Sequence, residues 1–99
     1  MFNRRIRSTC SFSYKNLMAF KYSNTTKDQY LYLMVSKKYG NSVQRNQLKR
    51  WIRIVYHQVL PKYPNLGLMV RPIKSQLIFD DVRLCFQKLI FKIQGQEDG

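Results

Sequence analysis

Between Val35 and Arg53 the chain reads VSKKYGNSVQRNQLKRWIR, with Lys37, Lys38, Arg45, Lys49, Arg50 and Arg53 in nineteen residues and no Asp or Glu. At 100° per residue, Arg45, Lys49, Arg53, Asn46 and Arg50 fall within an arc of about 140°, and Trp51, Val55, Leu48, Val59 and Ile52 occupy the opposite side. Arg45, Lys49 and Arg53 are like-charge neighbours at i, i+4, each pair costing a few tenths of a kcal/mol with no acid to offset it. A face that had only to stay in water would interleave Glu. Three readings are open: a solvated basic face, a membrane-surface helix, and a phosphate-binding face. The second needs a free apolar side, which a domain this small needs to cover a sheet. A rigid helix offering cations at steps of about 6 Å suits the backbone of folded RNA as well as DNA.

Little else in the sequence could do chemistry. The single histidine, His57, falls on the polar side of the same wheel, as a solvated or phosphate-facing group rather than a general base. Glu97, near the tail, is the single glutamate, and no cluster of acids or of Cys and His builds a nuclease or metal site. Cys10 and Cys85 are too few and too distant for a disulfide framework and read as reduced, buried thiols of a cytoplasmic protein.

The elements that position the basic face follow from pattern. Ninety-nine residues make one domain with a modest core, and 44% hydrophobic and 14% aromatic residues are too many for a disordered polycation. The net charge of +13 therefore sits outside something packed, and its partner is an extended polyanion: nucleic acid, an anionic membrane or an acidic protein. No apolar run approaches the ~18 residues of a membrane span. MFNRRIRSTCSFS is Arg- and Ser-rich and acid-free, as organellar transit peptides are, although Phe2 and Ile6 also suit a folded segment.

YKNLMAFKY, residues 14–22, alternates loosely and predicts a strand. SNTTKDQ, residues 23–29, predicts a turn, and YLYLMVS, residues 30–36, a second strand hairpinned to the first. Residues 41–60 hold no Gly or Pro, and Asn41 or Ser42 can cap a helix delimited by Gly40 and Pro61. LGLMVRP, residues 66–72, suits a buried strand. The stretch from Ser75 to Ile93 carries Val82, Cys85, Phe86, Leu89 and Ile93 at helical spacing, with Asp80 and Asp81 in its first turn. The fold class is α+β, a small mixed sheet with packed helices in the order short α, β, β, α, β, α.

SKKYGNSVQRNQLKRWIR resembles the signature of the bacterial ribonuclease P protein subunit family. In that signature a Ser-Lys-Lys-x-Gly strand end leads into Arg-Asn-Arg-x-x-Lys-Arg-x-x-Arg-like helix text. Arg45, Asn46, Lys49, Arg50 and Arg53 match position for position; Gln47 stands where a second Arg is usual, and Ile54 where Glu or Gln is common. NLGLMVRPIKSQLIFDDVRLCFQKLI and KNLMAFKY resemble the family's later segment and first strand, so the likeness spans roughly residues 14–93. Only MFNRRIRS precedes it where the family has a full helix, leaving at most two turns.

The resemblance implies a domain over residues 1–94, with 95–99 a frayed tail, and a left-handed βαβ crossover through the basic helix. It implies a non-catalytic protein subunit of ribonuclease P. The partners are then ribonuclease P RNA and precursor tRNA, with no membrane and no obligate protein partner. The RNA would perform the hydrolysis that removes the 5′ leader and would require Mg2+, while the protein binds no cofactor of its own. The RNA-binding residues would be Lys37, Lys38, Arg45, Asn46, Lys49, Arg50 and Arg53. The leader cleft, between the first helix and the exposed face of the sheet, would take Phe2 and Ile6 from the helix and Met18 and Phe20 from the first strand, beside Asn46 and Lys49; the alternative for Phe20 is ordinary core, since so small a domain has few other apolar groups to bury. The other reading is a different small RNA-binding or ribosome-associated basic protein.

Overall fold

The structure, a computed structural model, describes residues 10–23 and 29–98, with side chains as far as residue 95. In CSFSY, residues 10, 12 and 14 are half-buried while Ser11 and Ser13 are exposed, the period-two pattern of a strand with one packed face. This is β1 (Cys10–Tyr14). The chain reverses at Lys15 and Asn16, whose φ angles of 50° and 57° are both left-handed, and Leu17 N donates to Tyr14 O at 2.9 Å. Two successive left-handed residues give a turn whose twist matches that of paired strands. β2 (Met18–Ser23) returns antiparallel, with Phe20 opposite Phe12. The one strand expected over 14–22 is thus the second arm of a hairpin whose first arm was not assigned.

Then follow β3 (Tyr30–Leu33), α1 (Ser42–Val59), β4 (Gly67–Pro72) and α2 (Phe79–Asp98). The sheet order is β1-β2-β4-β3, with β4 antiparallel to β2 and parallel to β3. The hairpin expected between the strands at 14–22 and 30–36 does not form, because β4 lies between them. Gly67, Leu68 and Val70 are all buried, and a strand that apolar belongs in the middle of a sheet rather than at its edge. The expected turn at 24–28 and the residues Phe2 and Ile6 lie outside the described residues.

Both helices pack on one face of the sheet. Met18, Phe20 and Tyr22 of β2 and Leu68 and Val70 of β4 meet Leu48, Ile52, Val55 and Tyr56 of α1 and Val82, Cys85, Phe86, Leu89 and Ile93 of α2 in a single core. Phe20 stacks on Phe12 with centroids 6.2 Å apart and meets the edge of Phe86 at 5.3 Å. The Tyr56 hydroxyl lies 2.8 Å from Leu66 O and 3.0 Å from Tyr30 O, so it fastens α1 to the starts of both parallel strands. Gly67 is where the Tyr30 ring crosses the sheet, and a Cβ there would collide with that ring.

α2 begins at Phe79, where Asp81 reaches back to accept from Ile78 N at 3.0 Å. It extends to Asp98. Among the described residues no helix is long and apolar enough to cross a membrane.

Candidate nucleic-acid interface

α1 is started by a reciprocal cap. Asn41 Oδ1 accepts from Gln44 N at 2.8 Å, and Gln44 Oε1 accepts from Asn41 N at 2.9 Å. Gly40 leaves room for this arrangement, because a Cβ there would overlap Gln44 Oε1. The first turn holds no acid, so the positive end of the helix dipole adds to the side-chain charge. Beyond the cap the helix divides as the wheel requires. Leu48, Ile52, Val55 and Tyr56 are buried, while Asn46, Arg50 and Arg53 are exposed and Arg45 and Lys49 half-buried at the margins. Trp51 is also half-buried, its ring set edgewise on Phe79 at 5.9 Å. His57 is exposed beside Tyr56.

No carboxylate among the described residues answers these cations. Among the described residues the one ion pair is Arg83 to Asp80, 3.2 Å, on the surface of α2. Arg45 Nε is covered yet has no hydrogen-bond partner among the described residues, a donor left waiting for an acceptor. No group of three or more His, Cys, Asp or Glu that could hold a metal ion occurs among the described residues.

Lys37 and Lys38 lie in the 37–39 turn, both exposed. That turn is closed by Tyr39 N donating to Ser36 O at 3.0 Å, and Lys38 N reaches Ser36 Oγ at 3.3 Å. β3 has ended at Leu33, so strand alternation does not order these two lysines. The Tyr39 ring is buried, and its hydroxyl accepts from Leu77 N at 3.0 Å, which ties the lysine turn to the segment before α2.

Two of the expected leader contacts are corrected. Met18 is 0% and Phe20 1% exposed, and both face the helices, so neither offers a surface to a nucleotide. The parity of β2 puts Ala19 and Lys21 on the opposite, outer face. The register there sets Ser11, Lys21, Met69 and Tyr32 side by side across four strands, and beside them Ser13, Ala19 and Arg71. Among the described residues nothing covers this face. Lys21 and Arg71 were missed, though the rule that charge marks the wet side of a strand would have found both. A shallow trough runs over the face, reaching Met34 and Arg71, and Lys38, Arg71 and Lys74 border the groove into which it continues.

Comparison with known proteins adds a second line. A family model described as Ribonuclease P matches residues 1–94. The ribonuclease P protein component of Acholeplasma laidlawii is 34% identical over 64 residues, 61% of this chain and 54% of that relative; the match spans about half the relative's length. The fold is similar to that of the RNase P protein from Thermotoga maritima, with a TM-score of 0.68 at 23% identity, covering 89% of this chain and 86% of the other. It is similar also to the RNase P protein of Staphylococcus aureus, with a TM-score of 0.69 at 20% identity and coverage of 93% and 87%.

Proposed function

Because the chain belongs to the ribonuclease P protein family, we propose that it is the protein subunit of ribonuclease P, binding the catalytic RNA through α1 and the 5′ leader of precursor tRNA on the outer face of its sheet. The observation that carries this reading is the cationic face of α1, where Arg45, Lys49, Arg50 and Arg53 have no carboxylate partner among the described residues. A polyphosphate backbone supplies the missing counter-charge, and a phosphate oxygen is the kind of acceptor that Arg45 Nε lacks. Lys37 and Lys38 extend that surface from the turn before the helix.

The leader is single-stranded, and single strands are held by cations beside rings and apolar groups on which bases stack. In this chain Lys21 and Arg71, with Tyr32 and Met69 in register beside them, meet that description. Hydrolysis in this reading belongs to the RNA with its Mg2+, and the protein's part is electrostatic and positional. The site of action is the cytoplasm.

The test is reconstitution. Purified protein added to a bacterial ribonuclease P RNA at low Mg2+, where the RNA alone is nearly inactive, is expected to permit cleavage of precursor tRNA at the leader junction. A folded sample that gives no stimulation would remove this function and favour another RNA-binding role.

A further inference from the structure

α2 packs over β1 and β2, whereas Tyr56 fastens α1 to the starts of β3 and β4 at the other edge of the sheet. Where β1 ends against α2, far from the cations of α1 in the order of elements, a second basic group is assembled. The Lys88 ammonium stands 5.7 Å from the centre of the Tyr14 ring and 5.8 Å from that of Phe91, so one charge bridges rings from two elements. The Lys15 ammonium lies 5.5 Å from the same Tyr14 ring. Lys15 has a φ of 50°, in the left-handed region where glycine would be less strained, so the turn keeps this side chain at a conformational cost. Lys92 follows Phe91 and is exposed. No carboxylate among the described residues pairs with these three lysines. Asp80 and Asp81 stand in the first turn of α2, about 10 Å along the axis from Lys88. Phe91 has 67% of its surface exposed, more than any other described Phe, Tyr or Trp. A lone exposed ring is common, but packing gives no reason to set one among three unpaired ammonium groups.

We propose that this patch at the β1 edge is a second RNA contact, in which an unpaired base of a folded RNA stacks on Phe91 while Lys15, Lys88 and Lys92 hold the phosphates beside it. The inference rests on the reading of the chain as an RNA-binding protein, and it adds a surface that includes neither α1 nor the outer face of the sheet. The chemistry of the patch separates the possible partners. A membrane surface needs an apolar face broad enough to sink into lipid, and here a single exposed ring stands among lysines. An acidic peptide would match the charge but would leave the flat ring unused. RNA supplies both a flat base and the phosphates on either side of it. Lys88 is half-buried between two rings, so little side-chain freedom remains to be lost when a phosphate meets it.

Titration of the full-length 15N-labelled protein with a short oligouridine, followed by the amide shifts of each residue, tests it and reads this patch apart from α1. Shifts are expected at Lys15, Lys88, Phe91 and Lys92. The affinity read from those amides should fall by about 5- to 150-fold in Phe91→Ala, the range of one stacked base, and by almost nothing in Phe91→Tyr. Shifts at α1 should be the same in all three proteins, and the thermal midpoint should not move, since the ring is exposed. Shifts confined to α1 and the outer face overturn the second contact, as does an affinity at the patch that is equal in Phe91→Ala and the parent. Poly-glutamate that shifts the same amides, with the same loss in Phe91→Ala, also overturns it, since stacking of a base would not be the cause. A ring-dependent loss of oligouridine affinity at the patch supports the contact even if the protein fails to stimulate ribonuclease P RNA, which would remove only the proposed function.

Discussion

Phe20 and Lys21 are adjacent on β2 and point to opposite sides of the sheet, so alanine at each position separates folding from binding. Phe20 is closed in by Phe12 and Phe86 and has 1% of its surface exposed. Truncating it leaves a ring-sized cavity, which costs about 3 to 5 kcal/mol, part of it from the two lost ring contacts. A domain of this length holds roughly 5 to 15 kcal/mol in total, so the variant is expected to keep only a fraction of its stability. Its thermal midpoint should fall by about 12 to 40 °C. In urea the transition midpoint should drop with little change in slope. Lys21→Ala should stay within about 0.5 kcal/mol of the parent, while binding single-stranded RNA more weakly and with a log-log salt slope shallower by about 0.7. The two measurements, denaturation and RNA titration at several salt concentrations, should cross over between the variants. A Phe20→Ala protein with an unchanged midpoint and a selective loss of precursor tRNA affinity would refute the parity of β2, and with it the outer-face path.

If Arg45, Lys49, Arg50, Arg53 and one of Lys37 or Lys38 each meet a phosphate, the log-log salt slope for ribonuclease P RNA should be roughly −3.5 to −4.5; a slope near −1 would mean that α1 is not the binding face. Gly40→Ala should displace Gln44 from the cap and cost about 0.5 to 2 kcal/mol by denaturation. Gln44→Ala should cost a similar amount and the pair little more than either alone, because both remove one contact. Burial pushes the Cys85 thiol up to about 11 from its ordinary 9. The unfolded thiol therefore ionises first: stability should be level below pH 9 and fall between pH 9 and 11, by on the order of 2 kcal/mol. Burial likewise pushes Tyr22 up to about 12, so the decline should continue above pH 10. Denaturant midpoints measured from pH 8 to 11 would contradict this assignment if they stayed level.

α1 was legible because every signal for it is local. Gly40 and Pro61 bound it, Asn41 caps it, and the apolar side of the wheel is the side that the core buries. β4 was legible as an unbroken apolar run. The neighbours of the strands were not, because pairing of β2 with β4 joins residues about fifty positions apart and leaves no trace in either segment. β1 went unread for a different reason: serines at alternate positions look polar, although Cys10, Phe12 and Tyr14 between them keep period two. Met18 and Phe20 suit either a cleft or the core when the strand is read alone, and burial against both helices decides for the core. In β2 the bulky residues share one parity, and the other carries Ala19 and Lys21, so only one orientation buries enough apolar surface.

The repulsion within α1 is held by contacts on its other side. Tyr56 anchors the helix to two strands, Trp51 braces it on Phe79, the Asn41–Gln44 cap fixes its start, and Tyr39 ties the preceding turn to Leu77. None of these contacts uses a charge. The acids Asp80 and Asp81 stand at the start of α2, and the exposed Arg83–Asp80 pair contributes at most about 1 kcal/mol. Stability and the proposed RNA binding therefore fall on opposite sides of the same helix. This division lets so small a domain present, at fixed spacing, several cations that no carboxylate among the described residues compensates.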